Sequence, residues 1–241
     1  MPALPEIKCL QMTMLFLVTC VCCWILGVLI GHGAAKHAIN IGIDQVEGIL
    51  KLTAKKAPSP RQNPCGLAQQ CPPQHHPFRL TSGGGLNVLP RLCFDNNSIF
   101  AMNSDKLGRG MNIAVLKVST GDIDVKSYDM YEGDFSDPMV NFLKSLPNGS
   151  IIFIATHDDG ATRLSPKART VLGEMGSNEI ANLKFRDNWV FVTGRGFNLA
   201  GHYEQIVHRG ESQQSFGDWP NHAVSEGCLL YNSSKLHQTE H

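Results

Sequence analysis

The hydrophobic pattern divides the chain into stretches of different character. Residues 10–30 are apolar almost throughout. A helix rising about 1.5 Å per residue over that length spans a bilayer. Two readings fit this run: a cleaved signal peptide, supported by the small residues Gly31, Gly33, Ala34 and Ala35 behind it, or an uncleaved signal anchor. Either delivers the following residues to the secretory lumen or beyond. A buried core helix fits poorly, because the run has no polar face. Residues 36–64 are mixed and polar. Residues 39–52 have spacing for a short helix, and Pro58, Pro60 and Pro64 among polar and basic residues mark an extended linker, with an ordered arm as the alternative. The expected organisation is therefore a signal segment at 1–33, a linker at 34–64, a folded body at 65–228 and a tail at 229–241.

Within the body the pattern alternates between strand and helix periods. Phe78-Arg79-Leu80-Thr81 alternates as a strand, Ser82-Gly83-Gly84-Gly85 is a turn or bulge, and residues 91–94 form a short strand before a turn at 95–98. Residues 111–118 and 123–128 flank Ser119-Thr120-Gly121-Asp122, a hairpin signal. Asp137-Pro138 reads as N-cap and first helical residue of a helix to Leu146, with Met139, Phe142, Leu143 and Leu146 on one face. Residues 151–156 are a continuous apolar run, expected as a central strand covered on both faces. Ser165-Pro166 repeats the cap signal for a helix ending near Met175, with Gly176 behind it. Residues 177–183 predict a short third helix and residues 189–192 another strand. Beyond Gly196 the pattern weakens, returning to order at Asp218-Trp219-Pro220 and Glu226-Gly227-Cys228. Two helices among several short strands predict an α+β fold in one domain without internal repeats.

Charge narrows the functional classes. Lys+Arg and Asp+Glu both total 21, so there is no basic surplus of the kind nucleic acid or a polybasic lipid-binding surface requires. Cys9, Cys20, Cys22 and Cys23 lie in or beside the apolar run, whereas Cys65, Cys71, Cys93 and Cys228 are spread over the body. That even, dispersed set predicts two disulfides in an oxidising compartment, and fits zinc-ligand spacing poorly. Asn96, Asn148 and Asn232 each open an N-glycosylation sequon in an expected loop.

His157-Asp158-Asp159 is the most enzyme-like cluster, since paired carboxylates serve as acid and base or bind a cation. Asp-Asp-Gly after a strand is also common turn chemistry, and neighbours on an extended chain point apart. Asp129, Glu132 and Asp134 read as solvated loop carboxylates or helix caps. Ser82-Gly83-Gly84-Gly85 lacks the following helix and Gly-Lys-Ser/Thr of a phosphate cradle, and no hydrolase, zinc-protease, P-loop or dinucleotide motif occurs. No catalytic residue, metal or cofactor is expected. Gly108-Arg109-Gly110 opens one strand, Asp158 follows a second, and Arg186 and Trp189 lie at the start of a third. Planar guanidiniums, a carboxylate and an aromatic face can hold vicinal hydroxyls of a sugar. A structural pair between Arg186 and a nearby aspartate is the competing reading.

Several ordered stretches then resemble one family: Cys65…Cys71-Pro72, Gly108-Arg109-Gly110-Met111-Asn112-Ile113-Ala114, Tyr128-Asp129-Met130-Tyr131-Glu132-Gly133-Asp134, Asp158-Asp159-Gly160-Ala161-Thr162-Arg163-Leu164, Phe185-Arg186-Asp187-Asn188-Trp189-Val190-Phe191, Trp219-Pro220 and Glu226-Gly227-Cys228. They resemble the "family with sequence similarity three" group of secreted cytokine-like proteins, across residues 65–228. The resemblance implies a compact β-β-α domain of two antiparallel sheets with short helices. It implies secretion and hormone-like, non-catalytic action through a cell-surface receptor in glucose and lipid metabolism. It further implies disulfides Cys65–Cys93 and Cys71–Cys228. The strand cysteine that some members use for covalent dimerisation corresponds to Val192 here, so no disulfide-linked dimer is expected. The same domain is similar to the glycan-binding stem domain of a Golgi glycosyltransferase, whose sugar contacts fall on Arg109, Asp158 and Arg186. This implies, as the alternative, a lectin-like module of the secretory pathway, anchored in the Golgi or plasma membrane if the first segment is kept.

Overall fold

A computed structural model describes residues 14–30, 63–210 and 216–231. The short helix expected at 39–52, the linker up to residue 62 and the sequon at Asn232 lie outside the described residues. The chain forms two units, residues 1–59 and residues 60–241. In the first, residues 14–30 form helix α1, whose side chains, Phe16, Trp24 and Ile30 among them, are exposed. The expected span at 10–30 begins before the described residues 14–30, and among the described residues no helix is long and apolar enough to cross a membrane.

The second unit is the α+β body, with two antiparallel sheets. Strands β1 (His76–Thr81), β2 (Arg91–Phe94), β3 (Asn97–Ser98) and β9 (Val224–Leu229) form a four-stranded sheet in the order β3-β2-β1-β9. Strands β4 (Gly110–Lys117), β5 (Ile123–Tyr128), β6 (Ser150–His157), β7 (Asn188–Arg195) and β8 (Tyr203–Val207) form a five-stranded sheet in the order β5-β4-β6-β7-β8. Helices α2 (Ile99–Met102), α3 (Ser136–Ser145) and α4 (Pro166–Glu174) complete it.

Alternation along the five-stranded sheet builds two cores. Ile113, Ile152, Ile154, Trp189 and Phe191 pack against Met139, Leu143, Ala168 and Leu172 of α3 and α4. Ala114, Ile151, Phe153, Val190 and Val192 face Phe78, Leu80, Leu92 and Phe94 of the smaller sheet. The layers are therefore sheet, sheet and helices. Strand β6 lies at the centre with all eight residues buried, which explains its unbroken apolar run.

Local chemistry explains the boundaries. The hairpin expected at 111–128 forms, with Leu116 paired to Ile123. Asp95 and Asn96, both at positive φ, make the two-residue turn between β2 and β3. Ser165 caps α4 by accepting from Ala168 N, and α4 ends as Ser177 N reaches Leu172 O and Gly176 N reaches Gly173 O. Helix α3 begins one residue before Asp137, because Ser136 is the residue held: its N–H donates to Asp134 and its hydroxyl to Arg163 O. The third helix is reduced to a 3₁₀ turn at Ile180–Asn182. Disulfides join Cys65 to Cys93 and Cys71 to Cys228, with Cα separations of 5.4 and 5.6 Å. Each staples the beginning of the body to the small sheet.

Candidate functional site

Antiparallel order gathers the charged residues at one end of the large sheet. Gly110 at the start of β4 pairs with His157 at the end of β6, and Met111 pairs with Tyr128 at the end of β5. Strand β7 begins at the same end, since Ala155 pairs with Val190. Residues 108–109, 129–132, 157–159 and 185–187 thus converge although they are far apart in sequence.

Backbone geometry fixes each presentation. Asn112 holds Gly108 through two hydrogen bonds, 2.9 Å from its N–H and 2.8 Å to its carbonyl. Gly110 takes φ +97°, and a Cβ there would lie 2.1 Å from Tyr128 O, so only glycine lets Arg109 leave the strand at this angle. Asp158 and Arg186 both adopt positive φ, 58° and 62°. For arginine this is an uncommon, costly backbone state, of a kind concentrated at functional sites. Buried Asp187 sustains it by accepting from Lys184 N, His208 Nδ1 and Arg209 N at 2.7–2.8 Å.

Arg109 makes no ion pair with Asp158 among the described residues. Its guanidinium binds Asp129 through Nε and Nη2, the latter at 2.7 Å, and Glu132 at 3.0 Å. Burial pushes the Asp129 carboxyl up, but Arg109 and the N–H groups of Tyr131 and Glu132 outweigh it and hold its pKa below the ordinary value. The hydrogen bond to Asp129 is the main influence raising the Arg109 pKa, which keeps the group charged. Asp129 and Glu132 are thus partners of Arg109 rather than merely solvated loop carboxylates, while Asp134 serves the start of α3.

Asp158 and Arg186 do meet. Asp158 is buried and accepts from Trp219 Nε1 at 2.9 Å, and Arg186 Nε stands 4.0 Å from its Oδ1. Arg186 also reaches Asp218 at 3.4 Å. Asp159 is spent on its own turn, accepting from Ala161 N and Thr162 N. The two carboxylates therefore have separate partners. Arg186 Nε, His157 Nε2 and Asp159 Oδ2 are buried in this region without hydrogen-bond partners.

Trp189 is not the aromatic of this surface. Its indole is fully buried under the helices, stacked on Phe191 and donating at 2.8 Å to the shielded carboxylate of Glu204. Strand alternation sends it into the core, where a tryptophan needs a polar partner. Three other rings take the surface role. Arg109 lies 4.9 Å from the Tyr131 centroid, Tyr131 stacks on Phe185 at 6.3 Å, and Arg186 lies between Phe185 at 4.8 Å and Trp219 at 4.0 Å. The result is a continuous ladder, Arg109–Tyr131–Phe185–Arg186–Trp219, with Tyr131 and Phe185 exposed at 43% and 38%. Phe185 and Trp219 were visible in the sequence beside charged residues, but only the fold puts them in one row.

Comparison with known proteins places this architecture. Residues 109–197 match the family model described as Interleukin-like EMT inducer. The chain is 33% identical to Protein FAM3B of Homo sapiens over 211 residues, covering 86% of this chain and 90% of that protein. The chain belongs to the FAM3 family. It is also 36% identical to Protein FAM3C of Rattus norvegicus, over 73% of this chain and 78% of that protein. Identity to Protein FAM3A of Homo sapiens is 34%, over 74% and 77% respectively. FAM3B is the pancreatic-derived factor, the member to which Asp129-Met130-Tyr131-Glu132-Gly133-Asp134 and Ser82-Gly83-Gly84-Gly85 point. The chain is thus a cytokine-like FAM3 protein, and these relatives bear no enzyme names. The family match begins at Arg109 and ends just past β7, so it contains four of the five ladder residues, all but Trp219.

Proposed function

We propose that this FAM3 protein is a secreted, non-catalytic ligand that acts through a cell-surface receptor, with a hormone-like role in glucose and lipid metabolism. The ladder Arg109–Tyr131–Phe185–Arg186–Trp219 carries the receptor reading. Arginine, tyrosine and tryptophan dominate binding hot spots, and here they stack on one another in one row, an arrangement that limits the ordering cost of binding. The metabolic role rests on family resemblance alone. Secretion is supported by the apolar segment containing α1 and by the two disulfides. Asn96 and Asn148 are exposed, as glycan acceptors must be. The absence of catalysis is supported by the commitment of all four body cysteines to disulfides and by the separate partners of Asp158 and Asp159. With Val192 buried in the strand position where some members carry a cysteine, a non-reducing gel should show no linked dimer. N-terminal sequencing of protein recovered from medium tests the secretory claim. The expected new N-terminus lies near residue 33, and protein found only uncleaved in membranes would refute it.

A second reading is carbohydrate recognition. Arg186 Nε is buried, unpartnered and 4.0 Å from Asp158 Oδ1, too far for a direct bond and close enough for one ligand hydroxyl to bridge. A glycan array decides it: Arg186→Ala and Asp158→Asn should each abolish the signal given by the wild type. Absence of wild-type binding removes this reading and leaves the first intact.

A further inference from the structure

The smaller sheet has a face that the ladder does not use. Phe78, Leu80, Leu92 and Phe94 point into the core, so alternation turns Arg79, Thr81, Arg91 and Cys93 outward. On that outer face Arg79, Thr81, Arg91, Ser98 and His222 line an open cavity of about 480 Å³. This is within the size range of small-molecule sites.

Its charge is unbalanced. Thr81 pairs with Arg91 and Arg79 with Cys93, so the two arginines are diagonal neighbours on one face. Long side chains interact at that spacing of about 7–8 Å, and like charges so placed disfavour each other. Arg79 is compensated by Glu226 at 3.2 Å and donates to Gly66 O at 3.1 Å. Arg91 is exposed, and its side chain has no ion pair or hydrogen bond among the described residues. None of the described residues lining the cavity is acidic. The cavity also offers hydroxyl donors from Thr81 and Ser98. His222 Nδ1 faces the carbonyls of Ser82 and Gly83 at 2.8 and 3.2 Å, which can only accept, so Nδ1 carries the proton.

We propose that this cavity is a second binding site, for a sulfate or phosphate group, with Arg91 as its principal ligand and Arg79, Thr81 and Ser98 beside it. A guanidinium fork matches a tetrahedral oxyanion, and the hydroxyls take its remaining oxygens. The site uses none of the ladder residues, so it stands or falls independently of the receptor reading.

The test is calorimetric titration of the full secreted protein with three probes: sodium sulfate, sodium phosphate and a heparin-derived tetrasaccharide. The wild type should bind at least one of them. Arg91→Ala and Arg91→Glu should weaken that binding at least tenfold with unchanged melting temperature, while Arg186→Ala leaves it intact. Tetrasaccharide binding without binding of the free ions identifies a sulfated glycan as the source. Binding of the free ions at similar concentration identifies a small anion. No binding of any probe, or full binding by both Arg91 variants, overturns the proposal.

Discussion

Arg109 and Arg186 show how backbone geometry makes a surface. Each is set by a residue that nothing else can replace cheaply. Gly110 allows the turn out of β4, and Gly110→Ala would place a methyl 2.1 Å from Tyr128 O at φ +97°. We expect this variant to lose about 2 kcal/mol or more of stability, read by denaturant melts. Asp129 gives a pH signature. Its folded-state pKa lies below its unfolded one, so the folded state binds fewer protons in the acid range. Its stabilisation is complete above the ordinary aspartate value and declines as pH falls below about 4. Melting temperatures of the wild type and Asp129→Asn should therefore differ at pH 7 and converge on acidification. A gap that stays constant down to pH 2 would mean that Asp129 does not act through its charge. The roles of Arg109 and Arg186 as polar surface residues were legible in the sequence, because Arg109 stands between two glycines and Arg186 beside Asp187, each at a strand end. Their aromatic neighbours were not, since Tyr131, Phe185 and Trp219 come from three separate loops. Trp189 was misplaced for a simpler reason: in a central strand the residue one step from a charged turn already faces the core.

Elements with strong local chemistry were readable in advance. The β4–β5 hairpin, the fully buried β6 and the Ser165 cap of α4 each follow from residues adjacent in sequence. Strands β8 and β9 were missed because their order is tertiary. Strand β8 is an edge strand of half-exposed residues held against β7, and β9 carries Ser225, Glu226 and Gly227, a poor strand sequence rescued by pairing with β1 along its whole length. That dependence makes the disulfides unequal. Cys71–Cys228 ties β9 to the start of the body across 157 residues, whereas Cys65–Cys93 spans 28. On loop-entropy grounds the longer loop is worth about 1.5 kcal/mol more. Replacing Cys71 and Cys228 by serine should thus cost more stability than replacing Cys65 and Cys93, and hydrogen exchange should rise first in β9 and β1. Equal losses from the two pairs would contradict this ranking.

At the scale of the whole molecule, the body is a sheet–sheet–helix stack that converges four loops at one end of its larger sheet. The packed layers explain how a FAM3 protein holds two arginines and three rings in one row. Cell-surface binding tests the role of this row directly. Labelled wild-type protein should bind saturably to at least one line within a panel of intact cells. A Phe185→Ala/Arg186→Ala variant, checked for an unchanged melting temperature, should bind that line at least tenfold more weakly. Wild-type affinity in that variant would contradict the assignment of the ladder as the recognition surface.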